Sequence, residues 1–207
     1  MVSGRIKTWS IQDAVEMGLK GIVYYTDNKC DERIAEAVRN RLIEIGYPIV
    51  SVSHKSLPDF GLNILLDMEP SIVVMFMQIL IGLEASKSDI IFLAEHDVLY
   101  HPTHFSFVPP EKTVFYYNVN TWVINAKTGK GIFHNQPQAS GLCAYKSLLI
   151  DHYRECVKST GYIGFEPGIT RGITNYKAET WMSECPNIDI RHANNLTSGR
   201  FMELTND

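Results

Sequence analysis

Ser88-Asp89-Ile90-Ile91-Phe92-Leu93-Ala94-Glu95-His96-Asp97-Val98-Leu99-Tyr100 is the stretch whose reading decides the fold. A short apolar run ends abruptly in two acids, one residue apart. Such a run reads as a buried strand of a parallel sheet. Ligands of open α/β sheets bind beyond the carboxyl ends of the strands. Side chains at i and i+2 of a strand point the same way, so Glu95 and Asp97 are expected to project together into that crevice. Two carboxylates aimed at one point repel unless a cation lies between them. Oxygen ligands of this kind suit Mg²⁺ or Mn²⁺, often with the ion shared by a substrate phosphate.

Upstream of this run the pattern alternates between strand and helix. Gly21 to Thr26 reads as a first strand, and Asp27-Asn28-Lys29 as a turn. From Asp31, apolar residues recur at Ile34, Val38, Leu42 and Ile45, one face of a helix, with Gly46 placed as its C-terminal cap. Pro48 to Ser53 is a second strand. A largely apolar helix is expected from near Ser71 to about Ala85, buried against the sheet despite Gln78. Strand–helix–strand order argues for a mainly parallel α/β sheet with right-handed crossovers. Downstream, Thr113 to Tyr117 and Thr121 to Asn125 read as strands, Lys127 to Gly131 as a turn and Lys146 to Val157 as a helix. The segment from Ile163 is Gly-rich and polar until Asn187 to His192. There, strand alternation would put Ile188, Ile190 and His192 on one inward face.

The chain has 207 residues, 45% apolar and 20% charged, which suits one globular domain with a substantial core. Its net charge of −4 and lack of a Lys/Arg block give no electrostatic footprint for nucleic acid. The stretch Ile72 to Leu83 is too short to span a bilayer, and no secretory leader precedes the first strand. Cys30, Cys143, Cys156 and Cys185 are scattered, with no CxxC pair, and read as reduced thiols of a cytoplasmic protein.

The order of strand, Thr-Asp-Asn turn, helix, strand, buried helix and acid-tipped strand resembles the GT-A fold of nucleotide-sugar-dependent glycosyltransferases, in particular the broad family-2-like group. The resemblance covers roughly residues 21 to 192. It implies one GT-A-like domain over residues 1–207, with a nucleotide-binding half at about 21–100 and an acceptor-side half at about 101–207. Glu95-His96-Asp97 stands where that fold carries its metal-binding Asp-x-Asp motif, with Glu in place of the first Asp. By this resemblance Glu95, Asp97 and a late histidine, His192, would hold Mn²⁺ or Mg²⁺. Thr26, Asp27 and Asn28 would hold the base and ribose of a UDP-sugar, with Ser53 beside them. Lys55 reads as a solvated loop lysine before a phosphate contact, and Gly141 would let the backbone approach a sugar. Glu166, in the glycine-bounded loop Gly161 to Gly168, would be the general base of an inverting reaction. Glu184 and Asp189 are its rivals.

Ordinary chemistry accounts for several of these residues equally well. Asp-Asn pairs are common in turns and helix caps. A histidine at a strand end can be a hydrogen-bonded core-edge residue. Trp122 and Trp181 suit core packing before sugar stacking. Two other functions stay open. His96, Asp97, His101 and His104 form a dense ligand-capable cluster that would suit a metal-dependent hydrolase, although no HExxH pattern is present. A non-catalytic nucleotide- or carbohydrate-binding module is the other. The acceptor is left undecided among glycan, lipid-linked sugar, protein and modified DNA.

Overall fold

The computed structural model describes residues 19–159 and 177–192. Its first half follows the local patterns closely. Strand β1 (Lys20–Thr26) is buried along its whole length. Helix α1 (Glu32–Ile45) starts at Asp31, whose side chain accepts from the Arg33 N–H, and ends at Gly46. Gly46 adopts φ 86°, a left-handed conformation that glycine reaches without a Cβ clash. Strand β2 (Ile49–Ser53), strand β3 (Leu62–Leu65), helix α2 (Ile72–Ala85) and strand β4 (Ile90–Glu95) follow.

Period-two alternation on β1 divides the core. Val23 and Tyr25 face a cluster built from α2 and helix α3 (Lys146–Lys158), with Phe76, Ile79, Leu83, Leu149 and Tyr153. Ile22 and Tyr24 face the opposite cluster, with Val38 and Leu42 of α1 and Phe60, Phe92 and Phe105. Helices therefore cover both faces of the sheet. Gln78, the polar break in the apolar helix α2, is buried and donates to the carbonyls of Thr26, at 2.9 Å, and Val52, at 3.3 Å. It ties the helix to the carboxyl ends of β1 and β2.

Seven strands form the central sheet, in the order β10-β6-β9-β4-β1-β2-β3. β1 to β4 pair in parallel. Strand β6 is Val114–Asn118, β9 is Leu142–Tyr145 and β10 is Lys177–Trp181. β9 lies antiparallel between β4 and β6, and β10 runs parallel to β6. A second sheet has the order β5-β11-β7-β8, from Val98–Leu99 (β5), Thr121–Asn125 (β7), Gly131–Phe133 (β8) and Asn187–Arg191 (β11). A 3₁₀ turn, Pro102–Ser106, links β5 to β6. No helix among the described residues is long and apolar enough to cross a membrane.

The structure adds strands that the sequence pattern does not show, β3, β5 and β8 among them. β9 follows Gly141, read only as an acceptor-side residue, and β10 falls in the segment read as Gly-rich and polar. The inward face of β11 is also the reverse of the expected one: Asn187, Asp189 and Arg191 are buried, while Ile188 and Ile190 are half-exposed. This strand docks on polar groups, so its own polar side chains turn inward to meet them.

Candidate active site

The parallel register of β1 and β4 sets Tyr25 beside Glu95. The Tyr25 hydroxyl donates to Glu95 Oε1, and the Glu95 N–H donates to the Tyr100 hydroxyl at 3.0 Å. Burial, and next the Asp97 charge, push the Glu95 carboxyl up to about 8, against the opposing Tyr25 hydrogen bond. β4 stops at Glu95, and His96-Asp97 form a turn into β5. Strand alternation therefore does not carry Asp97. It is buried within that turn, with Oδ2 3.7 Å from His192 Nε2. The β5–β11 pairing brings the two together: Asp189 lies opposite Val98, and the Ile190 N–H donates to the Asp97 carbonyl at 2.8 Å.

The turn after β1 lies against the same place. Thr26 Oγ1 is 2.8 Å from His96 Nδ1 and accepts the Asn28 N–H at 2.9 Å. Asn28 adopts φ 57°, a left-handed conformation that asparagine tolerates. Its Oδ1 accepts the N–H groups of His54 and Lys55, at 2.8 and 2.9 Å. That bridge locks the loops after β1 and β2 together. Asp27 Oδ1 accepts the Lys29 N–H at 3.0 Å, a local turn bond. Three residues beyond Asp27, Cys30 is half-buried, and its thiol is pushed up to about 12 by burial and then by Asp97, Asp31, Asp27 and Glu32. Ligand atoms of Cys30, His96 and His192 all lie within 4.8 Å of one another. Burial lowers His192, with the Asp97 charge opposing.

A groove of about 800 Å³ opens beside this cluster, between the start of α1 and the ends of β7 and β11. It shares Cys30 and His192 with the cluster, and Lys29, Arg33, Lys127 and Arg191 add basic groups to its wall. Arg33 is held by Asp31, at 2.9 Å, and Arg191 by the buried Asp189, at 2.8 Å. Asp189 Oδ2 also accepts from Gln138 at 3.0 Å. Burial pushes its carboxyl up to about 6, against the Arg191 charge.

Other residues singled out in the sequence have structural partners. The Ser53 hydroxyl is buried, donates to the Lys55 carbonyl at 2.7 Å and accepts from Asn63 Nδ2 at 2.9 Å. Gly141 is packed so tightly that a Cβ there would lie 2.7 Å from the Asn118 carbonyl oxygen. His101 Nδ1 is 2.9 Å from Thr103 Oγ1 and caps the 3₁₀ turn. His104 is fully buried, and its Nδ1 meets the side-chain amides of Asn118 and Asn187, at 2.9 and 3.2 Å. The four-residue hydrolase cluster is thus not assembled: His101 and His104 serve the 3₁₀ turn and the core. Trp181 stacks on Phe107 with centroids 4.1 Å apart, as core packing expects. Trp122 instead is 41% exposed beside Phe133. Glu184 is exposed. Glu166 lies outside the described residues.

Sequence reasoning missed Tyr25 and Cys30 as site residues. Tyr25 looks like any strand aromatic until the register places it beside Glu95. Cys30 looks like any scattered thiol until β11 arrives beside it.

The fold is similar to that of a solved structure. TarS of S. aureus (residues 1–349, in complex with UDP-GlcNAc) matches over 87% of this chain and 61% of its own, with TM-score 0.53 and 10% identity. The chain has a GT-A-like fold. A glycosyltransferase involved in glycosylation of the major capsid of PBCV-1 matches with TM-score 0.44 and 12% identity, over 79% of this chain and 81% of its own. The bifunctional IspDF of Campylobacter jejuni matches with TM-score 0.42 and 9% identity, over 69% of this chain and 45% of its own. The chain spans less than two thirds of the length of the TarS and IspDF chains. At these identities the likeness is one of fold. No family model and no curated protein matches the sequence. On the GT-A-like fold, Thr26–Asn28, Glu95 and Asp97 all sit at or just past the carboxyl ends of adjacent parallel strands.

Proposed function

We propose that the protein is a glycosyltransferase that moves a sugar from a nucleotide diphosphate sugar, UDP-sugar favoured, to an acceptor hydroxyl. The observation that carries this reading is the convergence of the Thr26–Asn28 turn, Glu95 and Asp97 at the ends of β1 and β4, on a fold it shares with TarS. Ligands of open α/β sheets bind at this edge.

In this reading Thr26, Asp27 and Asn28 hold the base and ribose, with Ser53 bracing the adjoining loop through Lys55. Asp97 and His192 hold a divalent cation, Mn²⁺ or Mg²⁺. Two ligand atoms 3.7 Å apart fit one ion with small side-chain rotation, since each bond to such an ion is roughly 2.1 Å. Glu95 is the third member of the proposed ligand set, with Tyr25 donating to its carboxylate and the Asp97 charge acting on it. When bound, the cation supplies Lewis-acid stabilisation of charge on the departing diphosphate. Lys29 and Lys127 lend the groove wall positive charge suited to phosphates. Glu166 takes the acceptor hydroxyl proton, and Gly141 belongs to the acceptor side. A cytoplasmic location is part of this proposal.

The test is a thermal-shift screen of nucleotide sugars with and without Mn²⁺, followed by release of the nucleoside diphosphate. A donor at a hundredfold excess over Kd stabilises the fold by about 2.7 kcal/mol. If no nucleotide sugar raises Tm, the reading fails. Stabilisation without nucleoside diphosphate release would make the protein a binding module instead.

A further inference from the structure

The geometry points to a transition-metal site: we propose that Cys30, His96 and His192, with Asp97 as fourth ligand, bind an ion of the Zn²⁺ class. The proposal rests on this cluster of side chains and not on the transferase reading.

Three separate segments supply the donors: the turn after β1, the turn after β4 and the residue after β11. Their ligand atoms lie within 4.8 Å of one another, and Asp97 Oδ2 is 3.7 Å from His192 Nε2. Around a tetrahedral Zn²⁺, bond lengths of roughly 2.0–2.3 Å place neighbouring ligand atoms about 3.3–3.6 Å apart. The cluster therefore closes on an ion by movements of about an ångström.

His96 is oriented for the task. A ligating histidine normally donates its other ring N–H to an oxygen, which fixes the tautomer. Thr26 Oγ1 sits 2.8 Å from His96 Nδ1, and accepting that N–H leaves Nε2 with its lone pair for the metal.

The donor types decide the metal. A thiolate and two imidazoles favour Zn²⁺ over Mg²⁺ and Mn²⁺, which prefer oxygen. His192 and Asp97 belong to both the soft set and the oxygen-rich pair proposed above. Zn²⁺ and Mn²⁺ would therefore compete for this place.

Co²⁺, a spectroscopic stand-in for Zn²⁺, tests the site in the full chain under reducing conditions. One equivalent should give a thiolate-to-cobalt charge-transfer band, and Zn²⁺ should abolish it. Cys30→Ser should lose the band. Thr26→Val should keep it while weakening Zn²⁺ affinity by about 10–100-fold. Absence of the band in the unaltered chain overturns the proposal without any variant, and so does its survival in Cys30→Ser. Melting curves confirm that each variant folds, and His96→Ala, with weakened Zn²⁺ binding, replaces Cys30→Ser if that variant does not. Mn²⁺-dependent UDP binding without a thiolate band would defeat this proposal alone. A thiolate band without nucleotide-sugar binding would defeat the transferase reading alone.

Discussion

Lowering the pH from 7.5 to 5 should destabilise this protein through His104, and the size of that loss follows from its surroundings. His104 is fully buried among Phe92, Tyr100, Phe105 and Trp181. Its Nδ1 faces the side-chain amides of Asn118 and Asn187, so the ring is held neutral. Burial pulls its pKa from 6.5 down to about 3. The unfolded chain thus takes up a proton that the folded chain refuses. Stability contributed by the neutral ring is fully present above about pH 6.5 and is lost as pH falls from there toward about 3. Each pH unit inside that window costs about 1.4 kcal/mol, so at pH 5 the loss is about 2 kcal/mol. For a chain of this size that is a fall in Tm of about 4–8 °C. His152, lowered to about 4, adds a loss of the same sign. His104→Gln keeps an acceptor for the amides but cannot titrate. Urea unfolding of both proteins at pH 7.5 and 5 isolates the His104 share, because the other groups cancel in the difference. The variant should be less stable at pH 7.5, yet lose about 2 kcal/mol less on acidification. Parallel losses in the two proteins would refute the burial argument. The effect bears on the site because Asn187 begins β11, the strand that delivers His192.

Asp97→Ala should abolish the Mn²⁺-dependent part of UDP affinity in calorimetry. Glu95→Ala should weaken it less, since Tyr25 already engages that carboxylate. Glu166→Gln should lower kcat by about 10²–10⁴-fold with donor affinity near normal, and a fall under about tenfold would rule Glu166 out as the base. Gly141→Ala places a Cβ 2.7 Å from the Asn118 carbonyl and should cost about 1–3 kcal/mol in urea unfolding, with UDP affinity of the folded fraction unchanged.

Local sequence determined the first half of this protein. β1, α1, β2, α2 and β4 each carry a complete apolar period, and the two helices carry caps at Asp31, Gly46 and Ser71, so each is specified by contacts close in the chain. The same local logic exposed Glu95 and Asp97, because an apolar run that ends in acids is visible without knowing its neighbours. Tertiary structure decided the rest. β5 and β9 have only two and four residues, too few to show a period, and exist because a neighbouring strand offers unpaired backbone groups. β11 reversed its expected faces because the surface it meets is polar, and Asp189 and Arg191 neutralise each other inside it. Cys30, His96 and His192 are far apart in sequence, and only the pairing of β11 with β5 and β7 brings the last of them to the turns after β1 and β4. Residue types are written locally, but ligand sets are assembled by long-range pairing, which leaves no periodic trace in the chain.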